Sequence, residues 1–210
     1  MQKGKVLTLN KSGFFNYIYK NKALLILSFF YILGLLFGVF LITKNNTTYE
    51  LAEILFNHYI SIRTNTTFTT VFLNSLSSML VFVFIVFVSG TSFVGIVLSP
   101  ISLSLLGYIN GAFLSYIYIQ NSIKGIAFNA VIILPTVILF LIGIILSAKQ
   151  SLTFSCELVK LTFYKGYSSV NIFELFKSHC AKFALLLLLP ILASVIDGIF
   201  SIAFIKYFDF

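Results

Sequence analysis

One carboxylate lies inside an apolar stretch of the sequence, where a charge is costly. Asp197 stands in SVIDGIF, within the last long apolar run. A carboxylate at the middle of a bilayer costs about 2.5–3.5 kcal/mol on insertion scales, and such residues usually face a cavity or a partner. Two interpretations stay open: a protonated or hydrogen-bonded acid that fixes helix contacts through Asn74, Asn110 or Asn129, or an acid that couples protons or a substrate. No basic residue lies within a predicted span to pair with it.

The other reactive side chains do not form a recognisable active site. His58 and His179 fall in different compartments in the topology derived below, and we expect both at the surface. Cys156 and Cys180 lack C-x-x-C spacing and histidine partners, so we interpret them as plain thiols. H-E-x-x-H, G-x-S-x-G and the phosphate-binding G-x-x-x-x-G-K-[ST] are missing from the sequence. We therefore predict no enzymatic activity, no catalytic residue, no cofactor and no metal.

Small residues repeat every four positions in several apolar runs. The clearest series is Gly107, Gly111 and Ser115, and Gly34 with Gly38 forms a similar pair in the first run. Lipid offers no hydrophobic drive for helix association, so close backbone approach and hydrogen bonds must hold helices together. We favour helix packing over a transport path for these stripes.

The amino-acid composition indicates an integral membrane protein. Of the 210 residues, 59% are hydrophobic and 10% are charged, and the mean hydropathy is +1.04. A water-soluble surface cannot be built from so few polar residues. With roughly 20 residues needed per crossing, we predict an all-α, polytopic transmembrane helix bundle forming a single integral membrane domain, 1–210. The predicted spans are 23–43, 69–88, 100–120, 126–147 and 183–205.

Basic residues are distributed unevenly between the two sides of this bundle. Ten of the 14 lysines and arginines precede the first span or lie between the fourth and fifth spans. By the positive-inside rule these segments are cytoplasmic, so the N-terminus is cytoplasmic and the C-terminus is outside. We attribute the net charge of +8 to membrane orientation rather than to nucleic-acid binding.

Two segments between the spans predict interfacial amphipathic helices. In 49–63, Leu51, Leu55, Tyr59 and Ile62 share one helical face, and Arg63 lies away from it. We place this helix on the outer surface, where it is the largest area open to an extracytoplasmic partner. A second helix begins after Asn171, which forms a capping-box pattern with Glu174.

Prolines mark two irregular places. Ser99-Pro100 resembles a helix start, with serine as the N-cap and proline in the first position. Residues 89–99 would then form a turn with a re-entrant or interfacial stretch. Pro135, near the middle of the fourth span, deprives the Val131 carbonyl of its usual donor and predicts a kink. Helical character should continue past Ser147.

The segment 89–155 resembles the stage II sporulation protein M family. The similar features are a G-x-S-x-x-G turn, a proline, a small-residue helix containing N-G, a short glycine-containing link and an I-x-x-L-P helix. The first span, with its G-x-x-x-G, is also similar. Members of that family often carry further polar residues after this L-P, where only Thr136 follows here.

The resemblance implies a non-enzymatic scaffold of the bacterial cytoplasmic membrane. Sporulation members act in engulfment, where they hold two extracytoplasmic peptidoglycan hydrolases; we take this as the first hypothesis. Other relatives accompany bacteriocin genes and ABC transporters, so a second hypothesis is peptide export or immunity, with an ATPase contacting residues 148–182. A third is a proton-coupled carrier that depends on Asp197. Membrane lipid is a further expected partner, and the sequence is compatible with an oligomer.

Overall fold

The computed structural model of the protein describes residues 21–64, 66–163 and 171–208. Within these ranges the chain is helical and contains no β-strand, which confirms the all-α prediction. The elements are α1 (Lys22–Ile42), α2 (Asn46–Thr64), α3 (Phe68–Gly90), α4 (Gly95–Phe128), a π-helical turn (Asn129–Ile133), α5 (Leu134–Phe163), α6 (Ile172–Leu186), α7 (Leu188–Phe204) and a 3₁₀ turn (Ile205–Tyr207).

Four helical stretches in the described ranges are long and apolar enough to cross a membrane. They are Lys22–Ile42, Phe68–Gly90, Gly95–Phe163 and Ile172–Tyr207. The third has 69 residues, more than twice a single crossing. It is interrupted at Ser122, where φ is 46° and ψ is −122°, so it divides into two long apolar helices. This break falls in the link predicted between 120 and 126.

Apolar side chains cover the outside of the bundle as well as its core. Phe29, Leu36 and Phe84 are more than half exposed. A water-soluble domain of this size would not show so many large apolar groups, whereas lipid accommodates them. The buried apolar residues form two clusters, one around Leu103 and Phe183 and the other nearer α2.

The segment before Pro100 differs from the prediction. The α3 helix continues to Gly90, a turn occupies 91–94, and α4 begins at Gly95. Pro100 therefore lies inside α4 rather than at its first position, and Ser99 is no N-cap. The predicted helix start is wrong because tertiary packing outweighs the hydrogen bond that a proline at this depth removes. The predicted turn is thus confined to 91–94, and 95–99 are helical.

The helix is irregular next to Pro135, where a kink is predicted. The residues just before it, Asn129–Ile133, form a π-helical turn, and Pro135 is the second residue of α5. Proline cannot donate to the carbonyl four residues earlier, and a wider turn relieves the local clash. Beyond it α5 runs to Phe163, which confirms the prediction that helix continues past Ser147.

The last predicted span is divided into two helices. α6 ends at Leu186 and α7 begins at Leu188, with Pro190 two residues further on. Pro190 cannot donate to the carbonyl of Leu186, so the continuous helix predicted from 183 is interrupted at Leu187. At the start of α6, the Asn171 side chain accepts a hydrogen bond of 3.0 Å from the Phe173 N–H. This confirms Asn171 as an N-cap.

Candidate functional site

The α2 helix lies across one end of the bundle and supplies most of the candidate site. Its buried residues are Thr48, Ala52, Phe56 and Arg63. The Phe56 ring packs 5.5 Å from that of Tyr116 in α4. The predicted apolar stripe is only partly the face that packs on the bundle: Leu51 is 59% and Leu55 46% exposed. In lipid an apolar face need not turn inward, and the face that packs is the one that satisfies the polar groups.

A buried ion pair joins this helix to α7. The Arg63 guanidinium contacts the Asp197 carboxylate through Nη2 and Oδ2. Arg63 is 5% and Asp197 2% exposed. Asp197 lies seven residues before the end of α7, which places it about 10 Å from that end at 1.5 Å per residue. The carboxylate thus meets a cation from the nearest interfacial helix.

Other polar groups complete the coordination of both charges. Arg63 Nε donates to Ser201 Oγ at 3.1 Å, and its Nη1 donates to the Tyr59 carbonyl at 3.1 Å. Ser75 Oγ in α3 donates to Asp197 Oδ2 and lies 3.1 Å from Arg63 Nη2. Because each charge is both paired and hydrogen-bonded, burying the pair costs much less free energy than burying either charge alone. We call Tyr59, Arg63, Ser75, Asp197 and Ser201 the ion-pair site.

The Tyr59 side chain contacts both charged residues of the ion-pair site. Its ring centre lies 3.4 Å from the Arg63 guanidinium carbon, a cation–π contact. Its hydroxyl donates to Asp197 Oδ1 at 3.4 Å. Burial raises the pKa of Tyr59 above its ordinary value, and the nearby Asp197 acts in the same direction while Arg63 opposes it. The phenol therefore stays protonated at neutral pH and remains a donor.

Arg63 is the functional residue that reasoning from the sequence missed. No basic residue lies within a predicted span, and the basic partner of Asp197 comes from outside the spans. Asn110 donates instead to Tyr31 at 3.1 Å and Asn129 to Tyr118 at 2.5 Å. A signal was present in the spacing: Arg63 follows Tyr59 by four residues and Phe56 by seven, so the three share one helical face.

A cavity of about 270 Å³ lies next to the ion-pair site. We call it the α2 cavity; its polar lining residues are His58, Tyr59, Arg63, Asn74, Ser75, Ser78, Asn110, Thr136 and Asp197, and the remainder are apolar. Thr136 is 5% exposed, and its hydroxyl has no hydrogen-bond partner among the described residues. Leu55, His58 and Ser78 are exposed and form the rim.

The predicted glycine stripes lie together between α1 and α4. A methyl group added to Gly34 would overlap the Ser104 carbonyl, and one added to Gly107 would overlap the Tyr31 carbonyl. Gly38 and Gly111 are equally close to backbone of the opposite helix, while Ser115 is only partly buried. Such close backbone approach is what small residues permit. Nothing about these contacts requires a substrate.

A cluster of serines in α4 and α5 lies against the end of α3. Ser99 Oγ donates to Ser151 Oγ at 3.2 Å, and Ser151 Oγ donates to the Val86 carbonyl at 2.7 Å. Ser155 Oγ donates to the Gly90 carbonyl at 2.8 Å. These bonds tie α5 to the end of α3 and the start of α4. The Ser155 bond also satisfies the Gly90 carbonyl, which lies at the end of α3.

The histidines and cysteines are widely separated. His58 is exposed at the rim of the α2 cavity, whereas His179 is fully buried. The His179 ring stacks 4.4 Å from Phe154 and 5.4 Å from Phe87, so the expected surface position of His179 is wrong. Cys156 and Cys180 are free and partly buried. In the described part of the chain, no group of three histidine, cysteine or acidic side chains is arranged to hold a metal.

Comparison of the chain with models of protein families, with curated proteins and with solved structures finds no match. The resemblance to the stage II sporulation protein M family therefore stays a prediction from the sequence.

Proposed function

We propose that the protein is a non-enzymatic membrane scaffold that presents α2 to an extracytoplasmic partner. The observation that carries this proposal is the way α2 is held. The buried Arg63–Asp197 pair joins it to α7, and Ser75 adds a bond to α3. An interfacial helix fixed to two neighbours keeps a constant orientation, which reduces the entropy lost when a partner binds.

A polar face of α2 is available for such a partner. Glu50, Asn57 and Ser61 are exposed and lie on the side opposite the buried residues. Leu51 and Leu55 are exposed on a third, apolar face between these two, which suits contact with the lipid surface. A helix divided in this way packs on the bundle, rests on the bilayer and displays acidic and amide groups to water.

We place the protein in the bacterial cytoplasmic membrane with its N-terminus in the cytoplasm. The support is the excess of lysine before α1 and around α6. In this orientation α2 lies outside the cell, where peptidoglycan hydrolases act. The resemblance to the sporulation family makes such hydrolases the partner that we propose.

The ion-pair site argues against the proton-coupled carrier. The Asp197 carboxylate is in contact with Arg63, Ser75 and Tyr59. Protonating it would leave the buried Arg63 charge without its partner, which is costly. We therefore favour a role for Asp197 in holding the helices together.

Affinity purification from the native membrane tests the scaffold. An epitope-tagged chain would be isolated in mild detergent, and the proteins bound to it identified by mass spectrometry. The matched variants are Glu50→Lys with Asn57→Lys on α2, and Lys160→Glu with Lys177→Glu at the opposite end of the bundle. We expect cell-wall hydrolases to co-purify with the parent chain and to fall about tenfold with the α2 variant, as for a loss of about 1.4 kcal/mol.

The opposite pattern would favour the second hypothesis. If an ATPase co-purifies and is lost only with the Lys160 and Lys177 variant, the protein belongs to a peptide export or immunity system. Recovery of neither partner, with both variants equally stable, would contradict the scaffold.

A further inference from the structure

The α2 cavity has a polar end and an apolar end. Tyr59, Asn74 and Thr136 lie toward the end of the bundle that α2 covers. Phe82, Leu106 and Phe140 lie deeper, farther from that end of α3, α4 and α5. Its volume, about 270 Å³, approaches the range of roughly 300–1,000 Å³ that is usual for small-molecule sites. An occupant that matches both ends is amphiphilic.

The Thr136 hydroxyl indicates what the polar end can bind. Thr136 lines the cavity, and its Oγ1 atom is buried and makes no hydrogen bond with any described residue. Buried hydroxyl groups in proteins are nearly always hydrogen-bonded. Asn74 lines the same region and is only partly buried. A hydroxyl or carbonyl group of an occupant would supply both side chains with a partner.

The charges around the cavity favour an uncharged occupant. Arg63 is engaged by Asp197, Ser201 and the Tyr59 carbonyl. An anionic head group would have to displace Asp197, and a cationic one would have to displace Arg63. Either exchange leaves a buried charge without its partner.

The rim of the cavity opens on a surface that suits lipid. Ser78 lies on the same exposed strip of α3 as Val81 and Ile85, which are 57% and 44% exposed. On the other side of the rim, Leu55 belongs to the exposed apolar face of α2. An apolar surface of this kind in a membrane protein contacts acyl chains, so an occupant enters most easily from the bilayer.

We propose that the α2 cavity binds a neutral, single-chain lipid that bears hydroxyl groups, such as a monoacylglycerol. The glycerol hydroxyls lie against Thr136 and Asn74, and the first part of the acyl chain lies along Phe82, Leu106 and Phe140. The ion-pair site forms one wall and excludes charged head groups. This inference does not depend on the identity of an extracytoplasmic partner.

Photolabelling of the full chain in phosphatidylcholine nanodiscs tests the proposal. The probe is a monoacylglycerol with a diazirine in its acyl chain, and the labelled residues are identified by mass spectrometry. We expect labelling on α3, α4 and α5 around the cavity, and competition by unlabelled monoacylglycerol. Thr136→Val should reduce labelling about three- to tenfold, the effect of losing one hydrogen bond. Thr153→Val, which removes an exposed hydroxyl on the same helix, should leave it unchanged.

Two further measurements keep the test decisive. Val137→Phe narrows the cavity without touching a polar group and should abolish labelling, and the thermal unfolding midpoint of each variant reports folding. Equal labelling of the parent and Val137→Phe chains would show nonspecific contact with lipid and overturn the proposal. Stronger labelling by a diazirine fatty acid, insensitive to Thr136→Val, would overturn the choice of a neutral head group, and the absence of labelling would overturn the site.

Discussion

At the scale of single residues, the pairing of Arg63 with Asp197 decides how a carboxylate is tolerated in this bundle. The two side chains come from elements 134 residues apart in the sequence. Ser75 and Ser201 provide neutral hydrogen bonds around them. The arrangement turns a residue that is costly by itself into a link between α2, α3 and α7.

The first prediction is a double-mutant cycle at this pair. Arg63→Met and Asp197→Leu should each lower the free energy of unfolding by about 3–5 kcal/mol, because each leaves one buried charge unpaired. The double variant should lose much less than the sum, since neither charge remains. Thermal unfolding in detergent, followed with a thiol-reactive dye, measures the difference.

Lys206→Met, at the same end of the bundle, serves as the control for charge removal and should leave the midpoint within experimental error. If the losses at Arg63 and Asp197 are additive, the two side chains do not interact and the assigned contact is wrong.

At the scale of elements, α1 and α4 form the tightest helix pair described. Gly34 and Gly38 lie against successive turns of α4, and Gly107 and Gly111 lie against successive turns of α1. The contacts advance along both helices in the same direction, so the helices run parallel. Backbone atoms, which cannot move aside as a flexible side chain can, form these contacts.

The second prediction concerns this helix pair. Gly107→Ala should destabilise the bundle by about 1–3 kcal/mol, because the added methyl group meets the Tyr31 carbonyl oxygen. Ala127→Val, which enlarges an exposed position beyond the break at Ser122, should have little effect. The unfolding midpoints in detergent distinguish the two. A Gly107→Ala variant as stable as the parent chain would contradict the close approach.

The third prediction concerns the break within α4. Ser122 has φ 46° and ψ −122°, a conformation that costs a serine energy and that glycine adopts freely. Ser122→Gly should therefore raise the free energy of unfolding by about 1 kcal/mol. Ser178→Gly, at an exposed position within α6, should lower it by a similar amount. A loss of stability with Ser122→Gly would mean that the chain does not turn at this residue.

At the scale of the whole molecule, the helices form a bundle with two different ends. One end carries α2 and the ion-pair site, and the other carries the serine cluster and the start of α6. Glu50 is exposed at the first end and Lys160 at the second. Three long apolar helices separate these residues along the chain, so they should lie on opposite sides of a membrane.

The fourth prediction follows from this arrangement. In a chain with Cys156→Ser and Cys180→Ser, Glu50→Cys should react with a membrane-impermeant maleimide on intact cells. Lys160→Cys should react only after the membrane is permeabilised, since the lysine-rich segments stay inside. Labelling of both on the same side would contradict three crossings between them, and the reverse pattern would invert the orientation.

Much of the fold could be predicted because it depends on composition and local pattern. The apolar runs indicate helices long enough to cross a bilayer, and Asn171 with Glu174 three residues later indicates a helix cap. Pro100 and Pro190 differ in their effect on the helix, which local sequence does not predict. A proline often marks a helix start, yet the helix continues through Pro100, while Pro190 follows an interruption at Leu187 between α6 and α7.

The sequence by itself determined that this protein is a bundle of membrane helices, because hydropathy and the spacing of small residues are properties of each helix alone. Only the tertiary structure decided that Arg63 meets Asp197 and that Thr136 faces a cavity. Those contacts depend on the rotation of each helix about its axis, and exposed apolar faces do not fix that rotation when lipid surrounds the bundle. In water, burial of Leu51 and Leu55 would have set the orientation of α2; here the polar groups set it instead.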